Sequence, residues 1–401
     1  MEKDIFLKAL WLQSPWCIKE FALSVESQRL DIYVDFEKWA KFENNDGDMV
    51  TAEQTEQKTW KHLFFWQYPT YLHVRVPKLK DSSWKVQMIS LPWAREGSGF
   101  TLLFESIILE LAKHMPLSKL AEHVAENDER LMRIINHYTE KSKEKADYSG
   151  ITKWWIDETS RKKGHNYITT FINFETKKVS CIVEWKWKES VEAIAKDIEA
   201  HKGNRNNILE VSMDFSPSFT AGVMESFPKA SIIYDRFHFM QFLWKAMNET
   251  RILELKNNDF LKGSKYLWLQ NPETLSDEKK AKLEELKTNN RGLAEAYQMK
   301  ENIKEFFEKE TKEQAELFLQ YWCEWVMNSD IEPMKKVVKT IKAHWQWIMN
   351  YIEKKVNNGI VEGINSIIQT IKRRARGYKN VKNFMAMIYL KLWDFSICQE
   401  A

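Results

Sequence analysis

Alternation dominates the first hundred residues. Leu30, Ile32, Val34 and Phe36 recur at every second position, and Leu72, Val74 and Val76 do so against Tyr71, His73 and Arg75, the period of half-buried strands. The polar, turn-rich run FENNDGD, residues 42 to 48, separates two such blocks, so residues 1–100 are expected to form a β-rich module. Beyond Pro92, Gly97 and Gly99 the period lengthens. Phe104, Ile107, Ile108 and Leu111 recur at helical spacing, and PLSKLAEHVAENDERLMRIINHY predicts two short helices, Leu117 to Val124 and Glu129 to Tyr138, joined by a tight polar turn. That is helix-turn-helix spacing inside a helical region, 101–145. Ordinary packed helix pairs share it, and Arg130 and Arg133 are the obvious contacts on the second helix.

KSKEKADYSG, 141 to 150, reads as a polar linker. Five apolar, β-branched runs follow: KWWID, GHNYITTFINF, KVSCIVEW, ILEVSMD and ASIIYDRF, with helices expected at Ser190 to His201 and Ser218 to Phe227. Three strands followed by alternating helix and strand indicate a mixed α/β sheet. Phe239 to Val356 is nearly all helical in pattern, and so is Gly359 to Phe395.

A length of 401 residues implies two or three modules, since domains usually run about 100–200 residues. With 18 Trp, 22 Phe and 13 Tyr but only 12 Gly and 9 Pro, large cores and long helices are expected. Four unpaired-looking cysteines fit neither a disulfide framework nor a zinc site and point to a reducing cytoplasm. The start, MEKDIFLKALW, lacks the apolar stretch of a signal peptide, and no run of apolar residues is long enough to span a bilayer.

The net charge of +3 hides an uneven distribution. From Gly363 to Trp393 there is no acid, while Lys372, Arg373, Arg374, Arg376, Lys379, Lys382 and Lys391 carry +7, which leaves −4 for the rest. A solvated helix face accounts for such a run, and so does a surface for a polyanion such as nucleic acid.

Asp157 closes the apolar run Trp154, Trp155, Ile156, and Asp214 follows ILEVSM, so both carboxylates are expected at strand ends, where open α/β sheets place their sites. Glu362, Asn365, Gln369 and Arg373 recur every three or four residues and share one helix face. Three carboxylates drawn together supply the oxygen ligands that hard cations need, and two such ions serve an in-line phosphoryl displacement. With 57 acidic residues in the chain, the triad is unspecific by itself.

The runs VSMDFSPSFTAGVMESFPKASIIYDRFHFMQFLWKAMNETR (211 to 251) and NGIVEGINSIIQTIKRRARGYKNVKNF (358 to 384) closely resemble the DDE transposases of bacterial insertion sequences, the ISL-three family in particular. IDETSRKKGHNYITTFINFETKKV (156 to 179) is similar to that family's first catalytic block, and YPTYLHVRVPKLK with LPWAREGSGFT resembles its amino-terminal module. The resemblance implies an α/β, RNase H-like catalytic domain beginning at 150–250, an all-helical insertion at 251–345, and a catalytic helix with a basic segment at 346–401. It makes Asp157, Asp214 and Glu362 the catalytic, metal-binding acids, separated by 57 and 148 residues. Asp235 and His238, in the DRFH motif, take supporting roles. Arg161, Lys162, Lys163, Asn365, Lys372, Arg373, Arg374, Arg376 and Lys379 become candidate DNA contacts; a basic hairpin turn explains the first three equally well. Glu158 competes with Asp157, because neighbours on a strand point to opposite faces, and the family's DE pattern favours the aspartate.

One departure stands out. The family commonly carries a cysteine-based zinc ribbon near the amino terminus, yet no cysteine lies between Cys17 and Cys181. The expectation is therefore no zinc, and a β module held by aromatic residues such as Trp39, Trp60, Phe64, Phe65 and Trp66. The resemblance further implies two Mg²⁺ ions, with Mn²⁺ as a substitute, and double-stranded DNA as partner, both terminal inverted repeats and target. A homodimer or higher oligomer on DNA and a bacterial cytoplasmic location complete the expectation. A transposase-derived DNA-binding protein that no longer cuts and an RNase H-like nuclease are the alternative readings.

Overall fold

The computed structural model describes residues 7, 10, 12–44, 46–162, 166–184, 188–256, 258–354 and 359–393, with the side chain of Lys162 excepted. They fall into two compact units, Met1–Glu144 with Ile371–Ala401, and Lys145–Thr370.

The first unit begins with strands β1 (Trp16–Ser24), β2 (Arg29–Phe36), β3 (Lys41–Glu43), β4 (Met49–Thr51), β5 (Gln54–Phe65), β6 (Tyr68–Lys80) and β7 (Val86–Met88). The main sheet runs β1–β2–β6–β5, with β7 on β6; β2 and β6 are parallel, Leu30 opposite Thr70 through Val34 opposite Val74, and the other pairs are antiparallel. Leu30, Ile32, Val34, Leu72, Val74 and Val76 are all buried on one face, as their alternation predicts. FENNDGD makes the β3–β4 turn, where the Asn44 side chain accepts from the Asp46 and Asp48 N–H groups.

The aromatic expectation needs correction. Of the five named residues only Trp60 is fully buried; Phe64 is half-buried, Phe65 exposed, and Trp39 and Trp66 are 86% and 82% exposed. Trp39 and Trp66 lie between strands with φ of 69° and 54°, in turns that have no sheet face to bury a ring. Trp16, Phe42 and Trp93 fill the core instead, with the Trp16 and Trp93 rings edge to face at 4.7 Å.

Helices α1 (Leu102–His114), α2 (Leu117–His123) and α3 (Asp128–Glu144) follow, the last running six residues past the predicted Tyr138 because Thr139 continues its buried face. Thr101 caps α1 by accepting from the Phe104 N–H. The α2–α3 turn is held from β5: Lys61, 2% exposed, donates to the carbonyls of Val124 and Ala125, each at 2.7 Å, and lies 3.3 Å from Glu126 Oε1.

In the second unit β8 (Lys153–Lys162), β9 (Asn166–Asn173) and β10 (Val179–Val183) form an antiparallel meander, and β11 (Glu210–Met213) and β12 (Ser231–Tyr234) extend it in parallel, giving the order β10–β9–β8–β11–β12. Every residue of β11 is buried, the polar Glu210 and Ser212 included, as in a parallel strand covered on both faces. Helices α4 (Lys188–Ala200) and α5 (Pro217–Ser226) pack so closely that a Cβ on Gly222 would come within 3.0 Å of Val191.

After β12 come α6 (Arg236–Leu255), α7 (Lys265–Leu269), α8 (Asp277–Asn289), α9 (Arg291–Asn302), α10 (Lys312–Met327), α11 (Glu332–Ala343), α12 (Trp345–Lys354) and α13 (Gly359–Arg374). Their tryptophans include core: Trp268 and Trp322 are buried, and the Trp322 indole donates to the Met299 carbonyl at 3.0 Å. A last helix, α14 (Val381–Leu392), belongs to the first unit. Among the described residues no helix is long and apolar enough to cross a membrane.

Candidate active site

Register assembles the acids. Parallel β8 and β11 pair Trp155 with Ser212, so two residues further on Asp157 and Asp214 stand side by side on one face. Met213 pairs with Tyr234 on β12, and the next residues are Asp214 and Asp235. Three carboxylates thus form a row across three adjacent strands. Asp214 leaves the end of β11 as expected, but Asp157 is the fifth residue of a ten-residue strand, not its end, because Glu158 to Lys162 continue pairing with β9.

A fourth acid, the last of the expected catalytic triad, arrives on a helix. Glu362 lies in the first turn of α13, and three residues later Asn365 fastens that helix to β8: its amide nitrogen donates to Asp157 Oδ2, and its oxygen accepts from Thr159 Oγ1 at 2.9 Å. A cavity of about 220 Å³ is lined by Asp157, Asp214, Asp235, His238, Glu362 and Asn365, and also by Glu158. The Asp235 carboxylate caps α6 by accepting from the Phe237 N–H at 2.8 Å, and His238 Nε2 lies 3.9 Å from its other oxygen.

Burial pushes the Asp157 carboxyl above its ordinary range. The Asn365 amide, the Glu158 N–H and the charge on His238 oppose that rise, and the neighbouring Asp214 adds to it. Covered like charges of this kind are what a bound cation relieves. The donors are carboxylate oxygens, the ligand chemistry of hard divalent ions. Among the described residues no three acidic, histidine or cysteine side chains yet converge tightly enough to enclose an ion, and Asp157 is engaged by Asn365.

The remaining candidates scatter. Arg161 is 9% exposed and sits 3.5 Å from Glu184 Oε1, whereas Lys163 and the Lys162 side chain lie outside the described residues. Lys372, Arg373 and Arg374 form the last turn of α13; with Arg376 and Lys379 they fall in the first unit, alongside the α1–α3 helices. Arg374 donates to the His114 carbonyl at 3.1 Å, and Arg374, Lys379 and Arg133 line one cleft of about 590 Å³. Sequence reasoning missed Thr159, whose only signal is its place two residues after Asp157.

Known proteins resemble both parts. A family described as transposase matches residues 155–388, and the helix-turn-helix domain of transposase family ISL3 matches 89–139. The transposase for insertion sequence element IS1001 of Bordetella parapertussis is 25% identical over 250 residues, which cover 60% of this chain and 61% of that protein. The transposase for insertion sequence element IS1557 of Mycobacterium tuberculosis is 21% identical over 364 residues, 84% of this chain and 81% of that protein. The transposase match spans Asp157, Asp214 and Glu362, and the helix-turn-helix match takes in α1 and α2 and most of α3. A carboxylate row on one sheet, a helix bringing a further acid to it, and these two matches in order place the chain in the ISL3 family of transposases.

Proposed function

We propose that the protein binds the terminal inverted repeats of its own insertion sequence, cleaves a phosphodiester bond there to free a 3′-hydroxyl, and joins that hydroxyl to target DNA. The observation that carries this reading is the single cavity lined by Asp157, Asp214 and Glu362, at the junction of β8, β11 and α13. The sheet order, with its antiparallel first three strands and parallel last two, supports reading this sheet as an RNase H-like core. The helices of 251–345 are then an insertion between second and third acids, and 1–100 with 101–145 form the DNA-binding part.

Asp157, Asp214 and Glu362 would hold divalent metal, Mg²⁺ or Mn²⁺. Two bound ions supply Lewis acidity at the attacking and leaving oxygens of an in-line displacement. Asn365 and Thr159 fix Asp157 against α13, and Asp235 orients His238 at the cavity wall. Arg373, Arg374, Arg376 and Lys379, exposed beside the helix-turn-helix, neutralise phosphates, as does Lys372, so that binding weakens steeply with salt. Two ends must be cut in concert, which calls for a dimer or larger assembly on DNA.

Asp157→Asn and Glu362→Gln are each expected to abolish Mg²⁺-dependent nicking of terminal-repeat DNA while binding to that DNA stays within about two-fold, since neither change removes a phosphate contact. Full nicking by either variant refutes the assignment. Binding without nicking by the unaltered protein supports instead a transposase-derived DNA-binding protein.

A further inference from the structure

Both oxygens of the Asp157 carboxylate are engaged by the protein itself. Oδ1 accepts from the Glu158 N–H at 2.8 Å, within β8, and Oδ2 accepts from the side-chain amide of Asn365 on α13. Only the second bond crosses from sheet to helix. The Asn365 oxygen in turn accepts from Thr159 Oγ1 at 2.9 Å, and Thr159 is buried two residues along the same face of β8. That hydroxyl decides which end of the amide meets Asp157: the N–H side faces the carboxylate and the oxygen is spent elsewhere.

Burial and the nearby Asp214 both disfavour charge on Asp157, and the Asn365 amide offsets them. A divalent ion would offset them more strongly, but it needs a carboxylate oxygen as ligand, and Oδ2 already holds the amide. Amide and ion therefore compete for one oxygen. Asn365 stands one helical turn from Glu362, so the bond that quiets Asp157 also holds the Glu362 helix to the sheet. Ile364 and Ile368 of the same helix are buried, and their packing keeps α13 docked when the amide lets go.

We propose that Asn365 is a positioning residue that stands in for the ion: it ties Asp157 to the Glu362 helix in metal-free protein and yields Oδ2 when a divalent ion binds, while staying bonded to Thr159. The inference rests on the metal-dependent cleavage reading above. A group that merely oriented the acid for its ion would strengthen metal binding, and its loss would weaken it. A group bonded to the acid only in the metal-free form does the reverse, because its bond must be broken before the ion is bound. The two roles differ in sign.

The test is Mn²⁺ binding to the full-length protein without DNA, read by electron paramagnetic resonance. Asn365→Ala is expected to bind Mn²⁺ roughly ten-fold more tightly, the worth of a hydrogen bond to a charged group, and to melt roughly 3 °C lower in EDTA. Thr159→Val, which frees the amide to turn over and guards against a folding failure of the first variant, should tighten binding roughly three-fold, and Thr159→Ser much less. Binding of Asn365→Ala to terminal-repeat DNA in EDTA should stay within about two-fold of the unaltered protein. Unchanged or weaker Mn²⁺ binding by Asn365→Ala overturns the proposal, and if DNA affinity falls with it, Asn365 is a DNA contact instead. Failure of Asp157→Asn to remove a Mn²⁺ site from the protein sinks the metal-centre reading itself, a result distinct from either.

Discussion

In the first unit a buried lysine, Lys61, meets two backbone carbonyls and the carboxylate of Glu126; in the second, a covered aspartate, Asp157, faces another aspartate across the sheet. The same contrast holds for Glu105 of the first unit. It is fully buried yet accepts from Arg95 Nε at 2.9 Å, Ser98 Oγ at 2.6 Å and the Tyr138 hydroxyl at 2.8 Å. At Lys61 and Glu105 of the first unit the buried charge is matched internally, and Lys61 ties the α2–α3 turn to β5. At Asp157 of the second unit the charge is matched only in part, which leaves electrostatic attraction available for something that arrives later.

The contrast is sharpest at Lys61. Replacing it by Met leaves Glu126, paired otherwise with Arg130 at 2.7 Å, and two turn carbonyls without their shared cation. The expected loss is about 3 kcal/mol of stability in denaturant titration, with DNA affinity reduced in parallel. A loss below about 0.5 kcal/mol would show that the turn does not depend on β5.

A weaker effect is expected from acid. His62, the next residue, is pulled down to about 4 by burial while it bonds Thr101 Oγ1 at 2.8 Å. The unfolded imidazole takes its proton first, so the stability contributed by the neutral ring is complete above about pH 6.5 and is lost as pH falls toward 4. Half-burial limits the change to on the order of 2 kcal/mol. Thermal unfolding followed across that window should show it, and His62→Gln should flatten the profile.

The smallest effect has the opposite sign. Because Asp157 is raised in the folded state, its charged form costs stability at neutral pH, and that cost shrinks as pH falls from the raised value toward the ordinary one. Asp157→Asn should therefore stabilise metal-free protein by about 1 kcal/mol at neutral pH while removing cleavage. A destabilised variant in calorimetry would mean that the Asn365 bond outweighs burial and the like charge of Asp214.

Much of this was legible from spacing. The period of Leu30 to Phe36, the apolar run before Asp214, and the three-residue step from Glu362 to Asn365 each reflect local geometry, which sequence carries directly. What escaped depends on partners distant in the chain. Asp157 sits mid-strand because Asn166–Asn173 pairs with the polar half of β8, and nothing in ETSRK announces that partner. Lys61 alternates like any solvent-facing lysine, yet the α2–α3 turn closes over it. Trp39 and Trp66 follow the opposite rule: hydrophobicity assigns them to a core, and their turn positions keep them out.

The acid row is set by hydrogen-bond register rather than by nearness in the chain, and the two are inherited differently. Losing one residue inside Glu210–Met213 would turn Asp214 to the reverse side of the sheet and dismantle the centre outright. Lengthening or trimming the loops between the helices that separate β12 from α13 leaves that alignment untouched. Drift in the length of this stretch is therefore tolerable among descendants of the chain, whereas the short strands beneath it admit no change in count.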